Sequence, residues 1–225
     1  MVNTTRSVFD KQLNDLQIDV LKLSELVTTQ ALQATKALQK RDMSIAHRVD
    51  EFDATINRIR YEVEERSYTL LALQQPNARD MRRIVASVSV VTNLERMGDH
   101  AAGIARLVLR MEHLPSTLYV PEFDDMAELS AINLTDAMRA LTEEDVALAR
   151  SIVNRDDQID QLHQTIYDLL IETMAQDSSQ IECATMLMWV SHNFERYADR
   201  ISNICERIVY MVTGGLNEPR PDSMP

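Results

Sequence analysis

Apolar residues recur at Phe9, Leu13, Leu16, Val20, Leu23 and Val27, and Ala34 and Ala37 continue the line. Alternating steps of four and three hold these side chains on one face of a helix, as in a bundle seam. This first helix is expected to end near Arg41, where Asp42 can cap the next. A second seam runs Val49, Phe52, Ile56, Ile59, Val63, Leu70 and Leu73. "QQPNARD" breaks it, because Pro76 disfavours helix at the preceding residue. Asn77 is a suitable N-cap for a third helix from about Ala78 to Glu112. Three long helices joined by short turns predict an antiparallel three-helix bundle.

"HLPSTLYVPEFDD" then interrupts the pattern with Pro115 and Pro121. A fourth helix is predicted from about Glu122 to Ala140, with Met126, Leu129 and Asn133 inward. A fifth, from about Glu144 to Met174, carries Val153, Ile159, Leu162, Ile166 and Leu169. A sixth, from about Ser179 to Thr213, has the seam Leu187, Ser191, Phe194, Ala198, Ile201, Cys205, Ile208 and Val212, with Gly214–Gly215 as its C-cap. Shifted back by 100 residues, the first seven positions of that seam fall on Ser87, Val91, Leu94, Gly98, Ala101, Ala105 and Val108, all small or apolar. The chain therefore reads as an internal repeat. The expected fold class is all-α: two tandem, pseudo-symmetric, antiparallel three-helix bundles of spectrin-repeat-like design. Residues 1–114 form the first bundle, 115–121 a linker, 122–215 the second bundle and 216–225 a flexible tail. With only 4 Gly and 6 Pro in 225 residues, a β-rich alternative is excluded.

The repeat carries chemistry. "LERMGDHAAGIAR" spans Leu94–Arg106 and "FERYADRISNICER" spans Phe194–Arg207. Glu95 and Asp99, and again Glu195 and Asp199, stand one helical turn apart, a repulsive arrangement on any helix. Neither pair sits on its seam, so the acids line the flank of the buried stripe. In the second copy the line reads His192, Glu195, Asp199, Asn203; in the first, Thr92, Glu95, Asp99, Gly103. Residues equally distant from the turn at Pro76 face each other, which brings Asp53 opposite Asp99. With a turn near Asp177, Asp156, Asp157 and Asp160 approach the level of Glu195. Such carboxylates resist ionisation unless a cation joins them. Oxygen donors suit Mg, Ca, Mn or oxidised iron, and His192 admits iron or zinc. The competing reading is a set of solvated salt bridges, since Arg96 and Arg196 stand three residues before Asp99 and Asp199. His47, His100, His113 and His163 read as surface or core residues.

A net charge of −12 excludes a nucleic-acid binder and simple adsorption to anionic lipid. It suits a partner that meets cations or basic protein surfaces. Cys183 and Cys205 fall about 33 Å apart on one helix, too far for a disulfide. Reduced thiols, no apolar leader and no apolar run of membrane length point to the cytoplasm.

The twin motifs, with "QQPNARDMRRI" ahead of the first, resemble the PhoU family of phosphate-uptake regulators. The resemblance covers about Arg6 to Gly215 and implies a PhoU-like pair of bundles, each bearing E-x-x-x-D-x-x-x-N/D on its third helix. It implies a non-catalytic accessory protein, cytoplasmic and usually homodimeric. Such a protein restrains the phosphate ABC transporter, through its ATPase subunit, and couples it to a membrane sensor histidine kinase. Some members of that family bind multinuclear iron or zinc at the acidic motifs, so the resemblance extends that expectation to the motifs here. Carried over by position, Glu95 and Asp99 belong to the first motif and Glu195, Asp199 and Asn203 to the second. Gly103 departs from the pattern and leaves the first site poorer. Two other classes remain open: a di-iron carboxylate enzyme on a helical bundle, and a metal-free helical adaptor. Against the enzyme, no Glu-x-x-His occurs anywhere, and Asp160-x-x-His163 is the nearest approach. No P-loop, nucleophile elbow or Gly-rich phosphate cradle is present.

Overall fold

A computed structural model describes residues 2–114 and 118–215, and all its regular structure is helical. In chain order the helices are α1 Val2–Lys40, α2 Met43–Gln74, α3 Ala78–Arg110, α4 Glu122–Glu143, α5 Val146–Val153, α6 Asp156–Gln176 and α7 Ile181–Thr213, with a 3-10 turn at Ser178–Gln180 before α7. The proposed flexible tail and Pro115–Thr117 of the proposed linker lie outside the described residues. Leu118–Val120 is non-helical, and Val120 is buried.

Each half opens with the same turn. Arg41 and Glu144 take left-handed backbone angles (φ 51 and 55), and the next residue is an aspartate cap. Asp42 Oδ1 accepts from the Ser44 and Ile45 amides at 2.9 and 3.0 Å. Asp145 Oδ1 accepts from the Leu148 amide at 2.9 Å. Asn77 caps α3, accepting from the Arg79 and Asp80 amides at 3.0 Å. Gly214 ends α7 at φ 76, a left-handed conformation that glycine adopts without a Cβ penalty.

Two expectations need correction. The fifth helix is two helices, α5 and α6, broken at Asn154–Arg155. There the backbone tightens, with Arg155 N–H bonding Ile152 O at 2.9 Å, and Arg155 is held aside by Asp136 at 2.7 Å. Asp156 and Asp157 then begin α6, where the helix dipole favours anions. Leu73 and Leu169 are exposed: burial falls on Ser67 and Leu70 in α2 and on Ile166 and Leu170 in α6, which turns the two seam leucines outward. Asp53, matched to Asp99 by its distance from the turn, lies in the buried line of α2 at 8% exposure.

The halves are not packed side by side with separate cores. The largest interhelix contact joins α3 to α7, which run antiparallel. Arg82 Nε bonds Met211 O at 3.1 Å near one end of the pair, and His100 Nδ1 lies 3.2 Å from Asn193 Oδ1 further along. Two apolar cores result, and each draws on both halves. One joins the N-terminal part of α1 and α3 to the C-terminal part of α4 and α7; the other joins the opposite ends. This explains why α3 buries Val90, Met97, Ile104 and Leu107 besides the seam read from sequence: it is a central helix with two covered sides.

Two glycines in α3 permit close approach. A Cβ on Gly98 would stand 3.1 Å from Ile56 Cδ1 and 3.2 Å from Gln30 Oε1, both in the core. A Cβ on Gly103 would meet only the side-chain end of Asn193, at 2.9 Å. Gly98→Val is therefore expected to destabilise by about 1–3 kcal/mol through overpacking. Gly103→Ala should be near neutral, since Asn193 can move and alanine gains about 1 kcal/mol of helix propensity. Urea midpoints at unchanged m-value measure both.

Candidate functional site

The two acidic motifs occupy equivalent positions on α3 and α7, each facing the second helix of its own half. In the first half, Glu95 Oε1 pairs with Arg60 Nη1 at 3.2 Å, and the other end of that guanidinium pairs with Glu64 at 3.2 Å. Asp53 feels the charge of Asp99 from across the helix pair, as the spacing predicts. Asp53 Oδ1 and Gln30 Oε1 are buried acceptors with no donor. Thr92 Oγ1 is engaged, donating to Val88 O at 2.8 Å.

In the second half, Glu195 Oε2 is buried without a hydrogen-bond donor, and His192 Nδ1 stands 3.5 Å away. The His192 ring packs edge-on against Trp189, centroids 5.7 Å apart. Asp199 pairs with Arg196 at 3.3 Å on its own helix. Asp156 accepts from Ser202 Oγ at 3.1 Å. Asp160 and Asp199 lie near enough to repel each other, and both repel Asp156. Asn203 is half-buried one turn beyond Asp199.

The electrostatics are consistent across both stripes. Burial first, then repulsion from Asp99, raises Asp53 and Glu95 above their ordinary values. Burial first, then repulsion from Asp199, raises Glu195 and Asp160. Asp156 is pushed up to about 6, mainly by burial, with Asp160, Asp199 and Asp157 adding and the Ser202 hydrogen bond opposing. A cation beside such groups would restore their ionised forms.

Sequence reasoning missed the residue that separates the two stripes. Across from Glu95 stands Arg60; at the matching level across from Glu195 stands His163. Its Nδ1 is 2.8 Å from Ser191 Oγ, and it is close enough to draw both Glu195 and Asp160 downward. An arginine neutralises carboxylates but never ligates a metal, whereas an imidazole neutralises them when protonated and can ligate a metal when neutral. Matching levels along α6 and α7, the argument that found Asp160, would have found His163 too. Among the described residues no three of His, Cys, Asp and Glu converge as a finished ligand set. The donors nonetheless fit a cation in kind: buried, unpaired oxygens, carboxylates held above their ordinary values, and two histidines at one stripe.

These shifts set a pH dependence. The folded state binds the protons of Asp53, Glu95, Asp156, Asp160 and Glu195 more tightly than the unfolded chain, so their stabilising contribution is complete below the ordinary carboxylate range and is lost as pH rises through each raised value, which for Asp156 is about 6. Metal-free protein should melt at a lower temperature at pH 7 than at pH 5, and Asp156→Asn should flatten that difference. Thermal unfolding at matched ionic strength in metal-free buffer is the measurement.

Comparison with known proteins agrees with this arrangement. The PhoU domain model matches residues 20–108 and again 123–208, once in each half. A phosphate-specific transport system accessory protein PhoU homolog of Streptococcus pneumoniae is 36% identical over 94% of this chain and 98% of its own length. A homolog with the same description from Clostridium acetobutylicum is 32% identical over 93% and 96%. The crystal structure of the phosphate transport system regulatory protein PhoU from Streptococcus pneumoniae superposes with a TM-score of 0.87 at 34% identity, covering 94% of this chain and all of that one. PhoU from Pseudomonas aeruginosa gives 0.86 at 28% identity, covering 92% of this chain and all of its own. With both repeats matched and the fold shared from end to end, the chain belongs to the PhoU family.

Proposed function

We propose that this protein is a regulatory accessory of phosphate uptake. The carrying observation is that relatives described as phosphate-specific transport system accessory proteins match it over nearly the full length of both chains. Both acidic motifs are kept at equivalent helix positions. The protein acts without catalysis of its own, by contact with the phosphate ABC transporter at its ATPase subunit and with a membrane sensor histidine kinase. A surface of net charge −12 suits docking on basic protein faces. No helix among the described residues is long and apolar enough to cross a membrane, which fits a cytoplasmic protein that reaches the membrane through partners. It works as a homodimer, as the family resemblance implies. The buried, unpaired thiols Cys183 and Cys205 suit a reducing compartment.

The second stripe is a regulatory metal site, with iron or zinc preferred and Mn, Mg or Ca as weaker oxygen-seeking alternatives. Glu195, Asp199, Asn203, His192, Asp156 and Asp160 would hold the ion, with His163 as an added donor. The first stripe, Glu95, Asp99 and Asp53, is weaker. Arg60 already neutralises it, and Gly103 brings no donor. A bound cation would relieve the repulsion among the acids and so tighten the α6/α7 face on which a partner can dock.

Two measurements test these readings separately. Deleting the gene, with any second copy, should switch on phosphate-starvation genes in phosphate-rich medium; unchanged expression overturns the regulatory assignment. Elemental analysis of protein purified without a histidine tag should find metal. Asp199→Asn should lose most of it and Asp99→Asn little, while both variants melt near the parent. Equal loss from both would mean that the stripes are equivalent. A metal-free parent that stays so after reconstitution would return both stripes to ion pairs.

A further inference from the structure

Between the two acidic stripes runs a strip of opposite charge. The contacts of Arg82 with Met211 and of His100 and Gly103 with Asn193 fix the register of α3 against α7. That register sets His100 level with Asn193, which leaves Arg196 within one helical turn of it, and sets Arg96 within one turn of Arg200. Arg96 and His100 share one face of α3, one turn apart, and Arg196 and Arg200 share the matching face of α7. The four residues therefore meet around the pseudo-twofold axis of the molecule. The charges of Arg96 and Arg196 act on Arg200, and those of Arg200 and Arg196 on His100, in agreement with this placement.

This strip is unfinished. Arg200 Nε is buried with no acceptor, and a buried donor without a partner is costly. Arg196 has Asp199 at 3.3 Å, whereas Arg96 is exposed beside the crossing. Asn193 Nδ2 donates to Trp189 O at 2.8 Å, so its Oδ1 is an acceptor and His100 Nδ1 donates to it. Asp99 and Asp199 edge the strip and limit its net charge. A guanidinium offers paired N–H donors suited to a tetrahedral oxyanion, and three arginines stand within a helical turn of one another across this crossing. Elsewhere the molecule is acidic, with a net charge of −12, so an anion has little reason to settle on other parts of its surface.

We propose that Arg96, Arg196, Arg200 and His100, where α3 and α7 cross, form a binding site for a doubly charged oxyanion of the phosphate or sulfate type. The anion satisfies Arg200 Nε and screens three mutually repelling guanidinium groups. The site uses neither acidic motif as ligand and stands whether or not those motifs bind metal. By contacting both halves at once, the anion bridges the two repeats.

Isothermal titration of the full-length, metal-free protein with inorganic phosphate, at constant ionic strength in sodium chloride, tests this. Saturable binding with Kd of about 1 mM or tighter is expected, with sulfate competing and the His100 imidazole resonances shifting along the same curve. Arg200→Gln and Arg96→Gln should each weaken it at least tenfold. Arg200→Lys should weaken it while melting like the parent, because it keeps the charge and loses the fork. Arg48→Gln, an exposed arginine on α2, should bind as the parent does. No saturable binding, His100 resonances that stay still, or equal loss in Arg48→Gln would each overturn the assignment.

Discussion

Everything in this molecule hangs on the antiparallel crossing of α3 and α7. Each is the third helix of its repeat, and each would bury only one stripe in an isolated bundle. Here both are covered on two sides, and the two apolar cores are shared between repeats rather than owned by them. Small residues let α3 sit close to its neighbours: Gly98 beneath Ile56 of α2 and Gln30 of α1, and Gly103 against Asn193 of α7. The shared cores also make the repeats one cooperative unit, since neither half retains a complete core without the other.

The crossing explains where the charges stand. Residues on the sides of α3 and α7 that are excluded from both cores must carry whatever polarity those helices have. The outcome is a basic strip along the crossing, flanked on either side by an acidic stripe facing α2 or α6. Holding several carboxylates partly desolvated costs stability, as their raised proton affinities record. A chain selected for stability alone would not repeat that arrangement, which supports reading the stripes as functional rather than as surface decoration.

The repeats are related but not interchangeable. The first stripe faces Arg60, which ties Glu95 and Glu64 into an ion-pair network. The second faces His163 on α6, a helix that starts afresh at Asp156 because the backbone tightens after α5. That break has no counterpart in α2. It places two acids at a helix N-terminus, where the dipole favours them, yet burial and the neighbouring acids still push Asp156 up to about 6. The difference between a network closed by arginine and one facing histidine rests on these few residues.

Much of this could be read along the chain. The seams of α1 and α3, the caps Asp42 and Asn77, the offset of 100 residues and the acidic pairs are local or periodic signals, and a helix converts them into faces without further information. Pairing across a single turn was also within reach, which is why Asp53 was matched to Asp99. The rest depended on packing between segments distant in sequence. Hydrophobic periodicity marks one buried side of a helix and cannot show a second one when small residues line it, so the double burial of α3 and the fusion of the cores stayed hidden. Leu73 and Leu169 followed the period yet face solvent, because the partner helices cover Leu70 and Leu170 instead. The α5/α6 break is marked by no Pro or Gly. The basic strip at the crossing was invisible for the same reason: Arg96 and Arg200 lie 104 positions apart, and only the register of α3 against α7 brings their charges together.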